Sequence, residues 1–99
     1  MGHAIETKLS REAVRELMAG YLTRKLMLAK KRMSSVTLPE LLGYPWPREC
    51  GPFSEMYEDE QTAGREMGKL LSRTARELGI ESKTEDRRGR RDAITRYYF

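Results

Sequence analysis

The sequence predicts a mainly α-helical domain that ends in a small β-hairpin, and two patterns carry this prediction. Apolar residues recur at the three- and four-residue spacing of an amphipathic helix in two long segments, near residues 10–34 and 62–78. After a glycine-centred turn, residues 93–99 alternate between two faces, as a strand does. We therefore expect three helices, near residues 10–34, 37–43 and 62–78, followed by a hairpin near residues 81–98.

The composition is that of one small globular domain. The chain has 99 residues, of which 38% are hydrophobic and 34% charged, and no apolar run approaches the roughly 18–20 residues that a membrane helix needs. We expect residues 1–9 to be a flexible arm and residues 10–99 a single domain without a membrane segment. Because Cys50 is the single cysteine, no intramolecular disulfide can form, which favours the reducing cytoplasm.

The first predicted helix begins after Ser10, a good N-cap, and carries two adjacent apolar stripes. One stripe consists of Val14, Leu17, Met18, Tyr21 and Leu28, and the other of Leu22, Leu26, Ala29 and Met33. Together they form a wide apolar arc. The helix is therefore expected to lie in the core or to pair with a second copy, so that a homodimer through the first helix is one interpretation.

The second predicted helix is short and is followed by a rigid loop. Thr37 is its expected N-cap and Gly43 its expected C-cap. Residues 44–47, Tyr-Pro-Trp-Pro, cannot be helical because each proline pushes the preceding residue into an extended conformation. Trp46 is expected to be largely buried against the first and third helices. Residues 48–60 are expected to form a polar linker in which Phe53, Met56 and Tyr57 either pin the segment down or form a short turn of helix.

The third predicted helix separates apolar and basic residues onto opposite sides. Its cationic stripe, spaced by four, four and three residues, consists of Arg65, Lys69, Arg73 and Arg76. Such a stripe suits DNA, because arginine can bind the O6 and N7 atoms of guanine and lysine can meet a phosphate. The alternative is a solvated face that Glu66 and Glu77 partly neutralise. Gly64 and Gly68 indicate either tight packing or access to a groove.

The hairpin turn carries an arginine cluster around Gly89. Its members are Arg87, Arg88, Arg90 and Arg91. These side chains repel one another, and an anionic partner would offset that cost, although a flexible solvated turn is the alternative. Residues 1–60 hold nine basic and nine acidic residues and residues 61–99 hold ten and six, so all of the net charge of +4 lies in the last segment. A local cationic excess attracts phosphates.

The sequence offers little for catalysis, a metal or a cofactor. The one histidine, His3, lies near the terminus, and Cys50 has neither a second cysteine nor a nearby histidine as a partner. The acidic residues of segment 55–60 lack the alternating spacing of a calcium loop. We therefore expect a protein that is not an enzyme and that needs no cofactor.

Several short motifs lie in the segment from Leu38 to Tyr98. They are Leu38-Pro-Glu-Leu-Leu42, Pro45-Trp46, Thr62 opening a helix with Leu70-Leu71, and Leu78-Gly-Ile-Glu-Ser82 before a basic strand. Together they resemble the winged-helix C-terminal domains of phage and plasmid replication proteins of the primase-helicase type. The resemblance implies a DNA-associated role in replication or mobile-element biology, for a chain that is an excised domain or a small stand-alone relative.

A helix followed by a basic hairpin is the layout of a winged helix, whose helix enters a DNA groove and whose wing touches the backbone. The leading hypothesis is therefore a DNA-binding protein, a small regulator or a replication-associated domain, that uses the cationic stripe and the arginine cluster. The alternative is a protein-interaction module, an inhibitor or adaptor, that contacts an acidic protein with its basic face and through Trp46, Phe53 and Tyr57. The sequence leaves duplex DNA, RNA and an acidic protein open as partners.

Overall fold

The computed structural model describes residues 10–86 and 93–99, and within them the chain forms four α-helices and a three-stranded antiparallel sheet. The elements in chain order are α1 (Arg11–Lys30), β1 (Ser35–Thr37), α2 (Leu38–Leu42), a 3₁₀ turn (Arg48–Cys50), α3 (Gly51–Ser54), α4 (Glu60–Glu77), β2 (Glu81–Asp86) and β3 (Ala93–Tyr98). The predicted class, mainly helical with a small C-terminal sheet, is confirmed.

The sheet contains a strand that the sequence prediction missed. Its order is β1-β3-β2, and Val36 of β1 pairs with Tyr97 of β3. The prediction that the first helix extends to residue 34 was wrong, because α1 ends at Lys30 and the chain then becomes extended. Two β-branched residues, Val36 and Thr37, favour that conformation. A strand of three residues is too short to show a period of two.

The short helix α2 has the caps that the sequence predicts. The Thr37 hydroxyl accepts a hydrogen bond from the Glu40 backbone N–H at 3.3 Å, and the Glu40 carboxylate accepts one from the Thr37 N–H at 2.9 Å. This capping box fixes the start of the helix. The hydrogen bond from Thr37 lowers the pKa of Glu40 below its usual value. Gly43 ends the helix with a φ of 77°, a conformation that favours glycine.

The segment between α2 and α4 includes a short turn of helix and is pinned to the core by Phe53, as expected for the apolar residues of the linker. It contains the 3₁₀ turn and α3, and Phe53 of α3 is almost fully buried in the core. Trp46 packs against the core and is partly buried, whereas Phe53 is 1% exposed.

The caps of α4 are Asp59 at its start and Gly79 after its end. The helix begins at Glu60, two residues before the predicted start at Thr62, because the Asp59 carboxylate accepts a hydrogen bond from the Thr62 N–H at 2.7 Å. At the other end the N–H of Ile80 bonds to the Ala75 carbonyl and that of Gly79 to the Arg76 carbonyl. This is the predicted Schellman-like end.

The core lies where α1 crosses α4 and both meet the sheet. Side chains with almost no exposure come from all three parts and from α3, and they are Leu22, Leu26, Val36, Phe53, Met67, Leu71 and Tyr97. Only part of the predicted arc of α1 is buried: Leu17, Leu28 and Met33 are exposed, Leu17 by 62%. The arc is wider than the surface that one 18-residue helix and a small sheet can cover.

Candidate nucleic-acid interface

A groove runs along α4, between the start of α2 and strand β3. It has a volume of about 710 Å³, and all four members of the cationic stripe line it. Leu38 and Pro39 lie on one side, and Ile94 and Thr95 of β3 on the other. We call it the cationic groove. The sequence-predicted helix residues are therefore brought together on one concave surface, next to the hairpin.

Two members of the stripe are partly neutralised. Lys69 lies 3.1 Å from the Glu66 carboxylate, which also lies 3.3 Å from Arg15 of α1, and Arg73 lies 3.9 Å from Glu77. Pairs between exposed side chains contribute about 0–1 kcal/mol each and weaken in salt. A phosphate can therefore replace the carboxylates with only a small loss of free energy from the broken ion pairs.

The other two members, Arg65 and Arg76, make no ion pair with any residue in the ranges 10–86 and 93–99. Both are exposed. Each guanidinium carries five N–H donors, and none of them takes part in an ion pair within the described residues. These two arginines are the strongest candidates for first contact with an anion.

Between residues 64 and 72, one flank of α4 carries only small residues, so no large side chain protrudes from it. Gly64, Gly68 and Ser72 line the cationic groove at four-residue intervals. A Cβ atom built on either glycine meets no heavy atom of residues 10–86 and 93–99 within 4 Å. Tight packing of the two glycines against this part of the chain is therefore wrong, and access to a groove is consistent with the structure.

A partly buried hydrogen bond joins the sheet to α4 in the lining of the groove. The Tyr97 and Ser72 hydroxyl oxygens lie 2.7 Å apart, and the Tyr97 ring is almost fully buried. Burial raises the pKa of the Tyr97 phenol, although the hydrogen bond with Ser72 opposes this effect. The bond sets the position of β3, and thus of the hairpin, relative to the cationic stripe.

The arginine cluster (Arg87, Arg88, Arg90 and Arg91) lies outside the described residues. The strand ends on either side of it, Asp86 and Ala93, pair with each other. Closer to the sheet, the hydroxyls of Thr84 and Thr95 lie 2.9 Å apart across the two strands. The predicted hairpin pairing is therefore confirmed from residue 81 to 86 and from 93 to 98.

A second groove continues from the first and is largely apolar. It has a volume of about 600 Å³ and shares Leu38, Pro39 and Gly64 with the cationic groove. Its aromatic residues are Tyr44, which is 86% exposed, and Trp46. We call it the aromatic groove. Sequence reasoning missed Tyr44, although its place between Gly43 and Pro45, in a segment that cannot be helical, is the signal that could have found it.

The three residues of the protein-interaction alternative do not form one surface. Phe53 is 1% exposed, and its ring centroid lies 5.3 Å from that of Tyr57. The Tyr57 hydroxyl accepts a hydrogen bond from Arg15 at 3.2 Å. Trp46 lines the aromatic groove, and neither Phe53 nor Tyr57 does. The surface predicted from these three residues is therefore not assembled.

The groups that could serve other chemistry are buried or dispersed. Cys50 is 1% exposed, and burial raises the pKa of its thiol, which keeps the reactive thiolate scarce. Over residues 10–86 and 93–99, no three His, Cys, Asp or Glu side chains come together to hold a metal ion. In the same part of the chain no helix has the length and hydrophobicity to cross a membrane.

Comparison with known protein families, with curated proteins and with solved structures found no match to this chain.

Proposed function

We propose that this protein binds duplex DNA as a winged helix, with α4 in a groove of the duplex and the β2–β3 hairpin against the phosphate backbone. The observation that carries the proposal is the convergence of the whole cationic stripe on one groove beside the hairpin. The proposed role is that of a small regulator or of the DNA-binding part of a phage- or plasmid-type replication factor.

The topology supports the winged-helix assignment. A helix, a short strand, further helices and a hairpin follow in that order, and the short strand completes the sheet beside the last strand. This arrangement holds the hairpin next to the exposed face of α4. An α-helix with its side chains is about 10–12 Å wide and the major groove of B-DNA about 12 Å, so that α4 would fit with its cations against bases and phosphates.

Charge supports the choice of partner. The apolar side of α4 is buried, and its exposed side carries four cations of which two have no carboxylate partner within the described residues. A protein that neutralises phosphates with such groups releases counterions, so its affinity falls steeply with salt. Arginines on a helix in the major groove can in addition distinguish guanine from other bases.

The test is a salt series of binding to random-sequence duplex DNA, single-stranded DNA and RNA. We expect the duplex to bind most tightly, and the double variant Arg65→Ala/Arg76→Ala to bind it more weakly than the wild type at every salt concentration. Lys30→Ala/Arg32→Ala is the matched control, because it removes the same charge from exposed residues outside the cationic groove. Equal losses in both variants would mean that only net charge matters.

A wild-type protein without affinity for any nucleic acid at low salt would overturn the proposal. The cationic groove would then serve an acidic protein partner.

A further inference from the structure

The aromatic groove begins where the cationic groove ends. The two share Leu38, Pro39 and Gly64, so a ligand that follows α4 toward its N-terminus passes directly from basic to aromatic side chains. Gly64 presents no side chain at this junction, and a Cβ atom there would meet nothing within 4 Å. The path between the two grooves is therefore open.

Tyr44 contributes little to the fold. It is 86% exposed and lies outside the hydrophobic core, whereas the neighbouring Trp46 is partly buried and packs against the core. The loop between α2 and the 3₁₀ turn, which contains Pro45 and Pro47, presents both aromatic side chains to the same groove. Aromatic side chains that line a groove beside a basic path are the elements of a stacking platform for unpaired bases.

The polar groups in the groove lining fit the same ligand. Arg48 and Glu60 both line the aromatic groove and both are exposed. A guanidinium can meet the phosphate of a nucleotide, and a carboxylate can accept a hydrogen bond from the amino group of a base such as cytosine. The remaining lining is largely apolar, as the faces of a base require.

We propose that Tyr44 and Trp46 form a stacking site for an unpaired base, so that the protein prefers a duplex that continues into a single-stranded tail. This inference rests on the proposed function: the cationic groove holds the duplex end and the aromatic groove takes the first unpaired base. The ligand class is therefore a junction between double- and single-stranded DNA.

The experiment compares a blunt duplex with the same duplex carrying a short tail at its 3′ or 5′ end, by fluorescence anisotropy. We expect one of the two tails to raise affinity about tenfold. A tail of abasic nucleotides keeps the phosphates without the bases, and it should remove the gain. Trp46, the single tryptophan, gives a second readout, because its emission should be quenched by the tail and not by the blunt duplex.

Three variants connect the gain to the groove. Tyr44→Ala should bind the blunt duplex as the wild type does and lose the gain from the tail. Tyr44→Phe keeps an aromatic face and should retain the gain from the tail. Tyr98→Ala removes another exposed tyrosine, one that lines neither groove, and should leave both affinities unchanged.

The outcomes separate this inference from the proposed function. Three outcomes would each overturn the stacking site and leave duplex binding in place. They are binding of the blunt duplex without a gain from either tail, an abasic tail that binds as tightly as a normal one, and a full gain in Tyr44→Ala. A failure to bind even the blunt duplex would overturn the proposed function, and the stacking site with it.

Discussion

At the scale of single residues, Glu66 limits the charge of the cationic groove. Its carboxylate lies between Lys69 and Arg15, at 3.1 and 3.3 Å. It therefore competes with any phosphate that approaches Lys69. Because Glu66 also joins α4 to α1, the same carboxylate serves the fold and opposes the proposed ligand.

Replacing Glu66 with glutamine should raise DNA affinity several-fold at low salt. The side chain keeps its shape, while Lys69, which lines the groove, loses its carboxylate partner and becomes available to phosphate. Stability should change by less than about 1 kcal/mol, since the two ion pairs are surface-exposed. Anisotropy titrations measure the change in DNA affinity for Glu66→Gln and for a control, Glu12→Gln on the exposed side of α1. A lower affinity in Glu66→Gln would mean that the carboxylate holds Lys69 in its binding position.

The Tyr97–Ser72 hydrogen bond should make a measurable contribution to stability. Tyr97→Phe keeps the buried ring and removes the hydroxyl, which leaves the Ser72 hydroxyl without its partner, so we expect a loss of about 0.5–1.5 kcal/mol in urea denaturation. The double variant Ser72→Ala/Tyr97→Phe should have a free energy of unfolding only slightly lower than that of Tyr97→Phe alone. Independent, additive losses would show that the two hydroxyls do not act as a pair.

The same phenol gives a pH dependence with a definite sign. Burial raises the pKa of Tyr97 above its ordinary value of 10.0, so in alkali the folded protein keeps a proton that the unfolded chain has lost. Its contribution to stability is therefore complete below pH 10 and decreases as the pH rises above it. Thermal unfolding should show a smaller alkaline decrease of Tm in Tyr97→Phe than in the wild type. Equal decreases would assign the effect to other groups.

At the scale of secondary structure, alanine at Gly64 or Gly68 should change stability and DNA affinity in opposite directions. Both lie inside α4, where alanine is preferred by about 0.5–1 kcal/mol, and the space beside each is open. Gly64→Ala and Gly68→Ala should therefore raise the free energy of unfolding by about that amount. Both should also weaken DNA binding, because the added methyl groups project into the cationic groove. An increase in stability with unchanged affinity would show that the ligand does not approach this flank.

The sequence predicted the elements whose signals are local. The capping box of Thr37 and Glu40, the turn at Gly79 and the apolar face of α4 all depend on residues within a few positions of one another. It missed β1, because three residues become a strand only through pairing with β3, sixty residues away in sequence. The depth of burial is also not local: Phe53 is more deeply buried than Trp46, which depends on how distant elements pack.

The cationic stripe could be predicted because a helix alone determines which of its residues share a face. The aromatic groove could not, since it forms where the loop after α2 meets the start of α4, and helical periodicity does not describe that contact. The arginine cluster is visible in the sequence and lies outside the described residues, so its role stays a prediction.

At the scale of the whole molecule, the exposed flank of α1 bears on the oligomeric state. Leu17 and Leu28 are 62% and 58% exposed, although they belong to the predicted apolar arc. A homodimer through this helix stays a prediction. Sedimentation equilibrium should show an association that Leu17→Gln weakens, because that change removes apolar surface from the flank and none from the core. A wild type that remains monomeric up to high concentration would contradict it.

The two basic regions of the molecule should affect DNA binding in different ways. Alanine at all four positions of the arginine cluster should weaken binding about equally for every sequence and flatten its salt dependence, because a wing meets phosphates. Arg73→Ala or Arg65→Ala should instead reduce discrimination between sequences, by roughly 1–3 kcal/mol if the side chain binds guanine through two hydrogen bonds. Stability should hardly change for Arg73 or Arg65, since both are exposed on α4. Affinities of each variant for a selected and a scrambled duplex, at low and moderate salt, test the difference. If the arginine-cluster variant loses discrimination and the α4 variants lose only overall affinity, the hairpin reads the bases and the assigned roles are reversed.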